Sequence, residues 1–180
     1  MSSGKYLQFI SFMLMFIFII LPTECKADNF PDRAGHVNDF AGLLQNKTIR
    51  EFDNYLRELW ISTGVEVVVL TVKHMNKLDE NTYAMEIFKR WDIGATAHDG
   101  VLIFLSMKER TALIEVGYGL EQILPKDLTR SILNKNMIPS LKKNKFDEGI
   151  SGGILSISTW IKAGRGNITG KVDSSLKEGG

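Results

Sequence analysis

The sequence predicts an α/β fold: an α/β/α sandwich whose central sheet is mixed but mostly parallel, with about four helices. The first observation is an apolar run over residues 65–72, which is typical of a buried strand. The second is a pair of apolar runs, 101–105 and 111–116, whose short connection permits only an antiparallel hairpin. The third is an amphipathic segment before the hairpin, which makes a right-handed crossover and predicts that strands 65–72 and 101–105 are parallel.

The register of the hairpin follows from its short turn. If Ser106 lies opposite Thr111, Val101 lies opposite Val116. The chain just before the first strand then meets the chain just after the second. The residues gathered at this end of the hairpin are Asp99, Tyr118, Gly119 and Glu121.

Four amphipathic segments supply the helices. The first is expected to begin near Asn46 or Thr48, where Thr48 and Glu51 have the spacing of a capping box, and to end at Gly64. The second ends near Gly94. The inward-facing residues of the four segments are Ile49, Phe52, Leu56, Leu59 and Trp60; Tyr83, Ala84, Ile87, Phe88 and Trp91; Leu128, Ile132 and Leu133; and Phe146, Ile150, Ile154, Ile157 and Ile161.

Shorter segments complete the predicted domain. Residues 37–44 are expected to form a turn with hydrophobic anchors. Pro125 starts the third helix and Pro139 is expected to stop it. The glycine-rich, polar residues 164–180 offer no face for packing and predict a flexible tail. The folded domain is therefore expected over residues 28–163.

A signal peptide is predicted over residues 1–27. Lys5 precedes the apolar run 6–21, and residues 25–27 form a small-x-small cleavage site. An uncleaved membrane anchor is the alternative, although this run of about 16 residues is short for a bilayer span. The protein is therefore expected to be exported, either periplasmic or membrane-associated on the outer side of the inner membrane.

Composition narrows the class of protein further. The 180 residues are 44% hydrophobic and 24% charged, which suits one globular domain. Cleavage after residue 27 leaves equal numbers of basic and acidic residues, so nucleic acid is not an expected partner. The single cysteine, Cys25, leaves with the signal peptide, which excludes a disulfide framework and thiol catalysis.

Two glycine motifs and the histidines give weak signals. Residues 149–153 spell G-x-S-x-G, but they lie inside a helical pattern, where small residues favour close helix packing. Residues 117–119 follow a hairpin strand and lack a third glycine, so a turn with a positive φ is favoured over a dinucleotide loop. The histidines lack the spacing of a zinc site; they are His36, His74 and His98.

Carboxylates remain as the candidates for chemistry. A hard cation requires several oxygen ligands, and Asp39, Asp99 and Glu121 fall on predicted loops whose carbonyl groups could complete such a shell. Asp99 could equally be a turn residue bonded to its own backbone. Glu115 lies in an apolar strand and is either solvated or paired with Arg110 or another base.

Several blocks occur in an order that is typical of one family. They are residues 37–44, 64–69, 91–94, 99–103, 114–121 and 138–139, with Arg110, Phe146, Gly149 and Ile150. Through them the chain resembles the TPM domain family, which includes a thylakoid-lumen acid-phosphatase-like protein and exported bacterial proteins. The resemblance runs from about residue 37 to residue 161.

The resemblance implies an α/β/α sandwich and, in some members, a divalent-cation site and phosphatase activity. It implies metal or phosphate-site roles for Asp39 and Asp99, with Glu121 as a further metal ligand. Asp99 would then be the catalytic carboxylate, and Tyr118 and Gly119 would line the cofactor site. The family often has Asn between this aspartate and the glycine, whereas here Asp99 directly precedes Gly100, so one polar contact is missing.

Two hypotheses of function follow. In the first, Ca²⁺ or Mg²⁺ at the hairpin end polarises a small phosphate ester while a carboxylate moves the proton. In the second, the cation only orders the loops, and the protein is a non-catalytic interaction module that assists the assembly or maintenance of a membrane protein complex. The sequence contains no obvious activated nucleophile, and fold analogy does not choose between the two.

Overall fold

The computed structural model describes residues 30–95 and 98–177, with side chains as far as Arg165. The predicted signal peptide lies outside the described residues. In chain order the elements are β1 Val37–Asp39, α1 Asn46–Thr63, β2 Glu66–Val72, α2 Glu80–Arg90, β3 Gly100–Ser106, β4 Thr111–Val116, a 3₁₀ turn Tyr118–Leu120, α3 Lys126–Ile132, a π-helical turn Leu133–Met137, α4 Ile138–Leu141 and α5 Phe146–Lys177.

The sheet has the strand order β1-β2-β3-β4, and its first three strands are parallel. The last strand is antiparallel to β3, with Ser106 opposite Thr111 and Val101 opposite Val116. Both the mixed sheet and the hairpin register predicted from the sequence are confirmed. The register is specified because a slip of one residue would turn every apolar side chain of β4 to the wrong face.

Strand β1 was not predicted. The sequence suggested only a turn there, but Val37 and Asp39 pair in parallel with Val69 and Thr71 of β2. A strand of three residues is too short to show an alternating pattern, and its pairing depends on a distant segment. This strand fixes where Asp39 lies in the fold.

Two hydrophobic cores cover the two faces of the sheet. On one face, β-strand residues such as Val67 and Ile103 pack with Leu56 of α1 and Ile154 of α5. On the other face, strand residues pack with Tyr83 and its neighbours on α2. Full burial of each such aliphatic side chain contributes about 1.5–3 kcal/mol. The predicted α/β/α sandwich is confirmed.

Helix α1 begins at Asn46, one of the two predicted starts, and ends before Gly64 as predicted. The Thr48 capping box does not form, because Gln45 is the N-cap and Thr48 lies within the first turn. Pro139 does not stop the third helix but lies in the first turn of α4. The π-helical turn before α4 shifts the pattern of backbone hydrogen bonds. Pro139 therefore lies in the first turn of a helix, where backbone N–H groups have no partner within the helix and the missing N–H costs nothing.

Helix α5 contains the G-x-S-x-G residues and uses them for packing. A Cβ atom on Gly149 would touch the Leu141 side chain at 2.7 Å, and one on Gly153 would touch the sulfur of Met137 at 2.6 Å. The helix continues to Lys177, past residue 163, where the sequence predicts the domain end. Across residues 30–95 and 98–177, none of the helices has an apolar stretch sufficient to cross a membrane.

Candidate functional site

The hairpin end brings together the segments predicted from the register. The N–H of Gly117 donates to the carbonyl of Gly100 at 2.8 Å, and the N–H of Gly119 donates to the carbonyl of His98 at 3.1 Å. Gly117 has a φ of −68°, so the expected positive φ is wrong. Glycine is favoured there because a Cβ atom would collide with the carbonyl oxygen of His98.

Adjacent residues at this end line two different cavities. His98 lines a groove of about 840 Å³ together with Tyr118 and Glu121. Asp99 lines a smaller cavity of about 240 Å³ together with Arg33 and Glu66. The predicted cluster is therefore divided, since Asp99 lines one cavity and Tyr118 and Glu121 line the other.

The two carboxylates Glu66 and Asp99, which line the smaller cavity, are each paired with an arginine. The Asp99 carboxylate, in a residue only 8% exposed, accepts a hydrogen bond from the Arg165 guanidinium of α5. Glu66, at the start of β2, accepts from Arg33 at 2.7 Å and from the N–H of Gly94 at 2.8 Å. Two carboxylates are thus neutralised by two arginines, which makes their burial tolerable. One interpretation of the sequence was that the Asp99 side chain is bonded to its own turn. Its carboxylate is bonded to Arg165 instead.

The loop between α2 and β3 positions Asp99. The N–H of Asp99 donates to the carbonyl of Gly94 at 3.2 Å, and the carbonyl of Asp99 accepts from Glu66 N–H at 3.0 Å. Gly94 has a φ of +68°, and a Cβ atom there would collide with the backbone nitrogen of Gly100. Only glycine satisfies both the conformation and the close approach.

Asp39 lies at the opposite end of the sheet. It pairs with Thr71, which in turn pairs with Leu105, and Leu105 is six residues further along the chain than Asp99. Six residues of strand span about 20 Å. The Asp39 carboxylate accepts hydrogen bonds from Leu43 N–H at 3.1 Å, from Leu44 N–H at 2.8 Å and from the Thr71 hydroxyl. The expectation that Asp39 approaches the hairpin end is therefore wrong.

The remaining candidate residues, Tyr118 and Glu121, line the larger groove together with several basic side chains. Tyr118 is 82% exposed at its rim, and Glu121 lies nearby with Lys126 and Arg130. Partial burial raises the pKa of Glu115 above its ordinary value, and the charge of Lys126 acts in the opposite direction. Lys126 is thus the base near Glu115 that the sequence left unidentified.

Comparison with known proteins identifies the family. A family model described as the TPM domain matches residues 37–159. The chain belongs to the TPM domain family. The family resemblance noted in the sequence is therefore confirmed, whereas no curated protein matches the chain.

Solved structures with a similar fold include three bacterial proteins. The N-terminal domain of a protein from P. gingivalis has 29% identity and a TM-score of 0.66; the match covers 71% of this TPM domain chain and 82% of that chain. The BA42 protein from Bizionia argentinensis has 19% identity and a TM-score of 0.58; the match covers 67% of this chain and 82% of that chain. The N-terminal domain of cg2496 protein from Corynebacterium glutamicum has 14% identity and a TM-score of 0.53; the match covers 76% of this chain and 84% of that chain.

The described carboxylates of this TPM domain do not fit one cation held by Asp39, Asp99 and Glu121. The first two lie at opposite ends of the sheet, and Asp99 is paired with Arg165. Within residues 30–95 and 98–165, no three side chains of His, Cys, Asp or Glu are placed to share one ion. A role for any one of them alone stays a prediction.

Sequence reasoning missed the two arginines that pair with Glu66 and Asp99. Arg165 was assigned to the tail, yet it lies one helical turn after Ile161, the last inward-facing residue of the helical pattern. Its position at that spacing was the available signal. No periodic signal marked Arg33, because it lies in the irregular segment before β1.

Proposed function

We propose that this TPM domain is a non-catalytic binding module of an exported protein, which assists the assembly or maintenance of a membrane protein complex. The supporting observation is that two of the three candidate carboxylates, Asp39 and Asp99, are bonded to other parts of the fold. Asp99 is bonded to Arg165 of the last helix, and Asp39 is bonded to the turn that follows β1. Both carboxylates therefore already have hydrogen-bond partners within the protein.

A cation-dependent reaction would require a different arrangement around Asp99. Ca²⁺ and Mg²⁺ need several oxygen ligands at one point. Asp99 is already paired with the positive charge of Arg165. Glu66, which lines the same cavity, accepts hydrogen bonds from Arg33 and from the N–H of Gly94. A cation would have to displace these partners at the cost of unpaired buried charges.

A metal-dependent phosphomonoesterase is the second candidate, and the larger groove is the feature that favours it. His98, Tyr118 and Glu121 line one part of that groove and could transfer protons, while Lys126 and Arg130 could bind phosphate oxygens. Under this hypothesis Ca²⁺ or Mg²⁺ would be held at Glu121, and the substrate would be a small phosphate ester.

Turnover of p-nitrophenyl phosphate by the purified chain separates the two candidates. The assay is run with Ca²⁺, with Mg²⁺ and with a chelator, on the parent chain and on Asp99→Asn and Glu121→Gln, with Asp32→Asn as the exposed control. The binding-module proposal predicts no turnover above the protein-free rate. Metal-dependent turnover that falls in Glu121→Gln or in Asp99→Asn, and not in Asp32→Asn, would overturn it.

The location of the protein belongs to the same proposal. The predicted cleavage after residue 27 implies that the exported chain begins at Asp28. Mass spectrometry of the protein from the exported compartment tests this directly. A full-length N-terminus in the membrane fraction would instead support the anchor interpretation.

A further inference from the structure

The edge strand β4 presents backbone hydrogen-bonding groups to one side. It is the last strand of the sheet, and within the described part of the chain no strand pairs with it on the side away from β3. The hydrogen bond from Gly117 to Gly100 fixes the phase of the antiparallel ladder. The N–H and C=O groups that point away from β3 are therefore those of Ala112, Ile114 and Val116.

The groove of about 840 Å³ runs along this edge and has an apolar wall on each side. On one side Leu113 and Phe88 of α2 pack against the same core, and Met85 of α2 is 48% exposed. On the other side Ile114 and Leu133 pack against the core beneath α3 and α5. A strand lying in this groove would therefore find an apolar surface for the side chains on both of its faces.

The charged residues of the groove favour an acidic occupant. Three bases line it, namely Lys89, Lys126 and Arg130, against the two carboxylates Glu115 and Glu121. Glu115 is partly buried beside Lys126, and burial raises its pKa. Arg130 also lies 4.0 Å from Asp127, but both side chains of that pair are exposed, and such pairs are weak. The groove lining itself has one more base than it has acids, so a carboxylate on a partner would meet complementary charge.

We propose that this groove binds an extended segment of a partner protein, which adds a fifth strand to the sheet along β4. The segment would be apolar at alternate positions and acidic at the end that lies beside Lys126 and Arg130. β4 has six residues, a length of about 20 Å, which suits a bound strand of similar size. This inference rests on the proposed function and names the partner class of that binding module.

A second copy of the chain is a less favourable occupant. Pairing of two β4 edges would bring the α2 and α3 helices of both copies to the same groove. It would also bring the basic side chains of the two copies, Lys89, Lys126 and Arg130, close to one another. Repulsion between like charges opposes that arrangement.

The test uses the full chain and capped octapeptides that alternate valine and threonine and end in two glutamates. Binding is followed by the amide NMR signals of the isotope-labelled protein. We expect saturable shifts at Ala112, Ile114 and Val116 and along α2. N-methylation of alternate peptide amides should weaken binding by about tenfold or more, because it removes the donors of the added strand.

Charge variants test the predicted orientation. The double substitution Lys126→Glu and Arg130→Glu should weaken binding of the acidic peptide by about tenfold. Lys142→Glu, an exposed residue outside the groove, is the matched control and should bind like the parent. Circular dichroism of each variant checks that the fold is retained.

Several results would overturn the proposal. They are no binding across the peptide series, equal binding of the N-methylated peptide, or shifts confined to another surface. A dimer with β4 protected from hydrogen exchange in the absence of peptide would assign the groove to a second copy instead. Metal-dependent turnover that falls in Glu121→Gln would overturn the proposed function, whereas a failure to bind peptide without any turnover would overturn only the strand-addition proposal, so the two claims fail separately.

Discussion

At the scale of single residues, Asp39 illustrates how a candidate ligand can be a structural group. Its carboxylate accepts hydrogen bonds from two backbone N–H groups, at Leu43 and Leu44, and from the Thr71 hydroxyl. These bonds join the end of β1 to the turn that leads into α1. Charge-assisted bonds of this kind are stronger than neutral ones.

Asp39→Ala should therefore destabilise the fold. Loss of the acceptor leaves two N–H groups and one hydroxyl without their partner, so the free energy of unfolding should fall by about 3 kcal/mol. Urea unfolding measures the change. Asp32→Ala, at an exposed position, is the control and should cost less than about 0.5 kcal/mol. Equal effects of the two substitutions would contradict this role of Asp39.

Glu115 should make stability depend on pH. Burial raises the pKa of its carboxyl above the ordinary value of 4.5 in the folded state. Below the ordinary value the group is protonated in both states and burial costs nothing. As pH rises through the raised folded value, the folded state must bury a charge, so stability is lost.

Glu115→Gln removes that charge and should stabilise the protein at neutral pH by up to about 1 kcal/mol. The difference from the parent should disappear below about pH 4. Thermal unfolding across a pH series measures it, with the exposed Glu58→Gln as the control. A stabilisation that persists in acid would show that the carboxyl charge is not its cause.

At the scale of elements, the loop from α2 to β3 depends on a close backbone approach. Gly94 and Gly42 both have left-handed φ values, +68° and +71°, but only Gly94 lies against another backbone segment, at Gly100. A Cβ atom on Gly42 would meet nothing within 4 Å. Substitution of Gly42 therefore measures the free-energy cost of the left-handed conformation alone, whereas substitution of Gly94 adds the cost of a collision with the backbone.

Gly42→Ala should lower the free energy of unfolding by about 1 kcal/mol, the cost of a left-handed non-glycine residue. Gly94→Ala adds a backbone collision and should lower it by about 3 kcal/mol or more. Chemical denaturation of both variants gives the comparison. Similar losses of unfolding free energy in the two variants would mean that Gly94 and Gly100 are further apart in solution than in the structure.

The ion pair of Asp99 and Arg165 connects the end of the loop before β3 to α5. Its side chains are 12% and 29% exposed, whereas the Lys145 and Glu148 pair at the start of α5 is 55% and 59% exposed. Buried pairs are coupled more strongly, because water screens them less. The two pairs offer a matched comparison.

A double-mutant cycle with alanine at Asp99 and Arg165 should give a coupling energy of about 2 kcal/mol. The same cycle at Lys145 and Glu148 should give less than about 0.5 kcal/mol. Both are measured by urea unfolding. A coupling near zero at the first pair would remove the basis for assigning Asp99 a structural role.

At the scale of the whole molecule, the sequence predicted the sheet better than the candidate site. Long apolar runs specify β2 and β3, and the short turn sets the register of the hairpin. The position of Asp39 depends on β1, whose three residues carry no periodic pattern and pair with a strand about 30 residues away. Likewise, Arg165 reaches Asp99 only because α5 packs across the sheet.

The resulting arrangement separates the predicted ligands. Asp39 lies at one end of the parallel strands, and Asp99 and Gly119 lie at the other, about 20 Å away by strand length. Ca²⁺ contacts its oxygen ligands at about 2.4 Å, so one ion cannot contact both ends.

A calcium titration of the isotope-labelled chain tests this account most directly. The amide NMR signals of Asp39, Asp99 and Gly119 are followed as Ca²⁺ is added. The account predicts no shift that saturates with one dissociation constant at both ends of the sheet. A single saturable transition shared by all three signals would contradict it and restore the cation site that the sequence predicted.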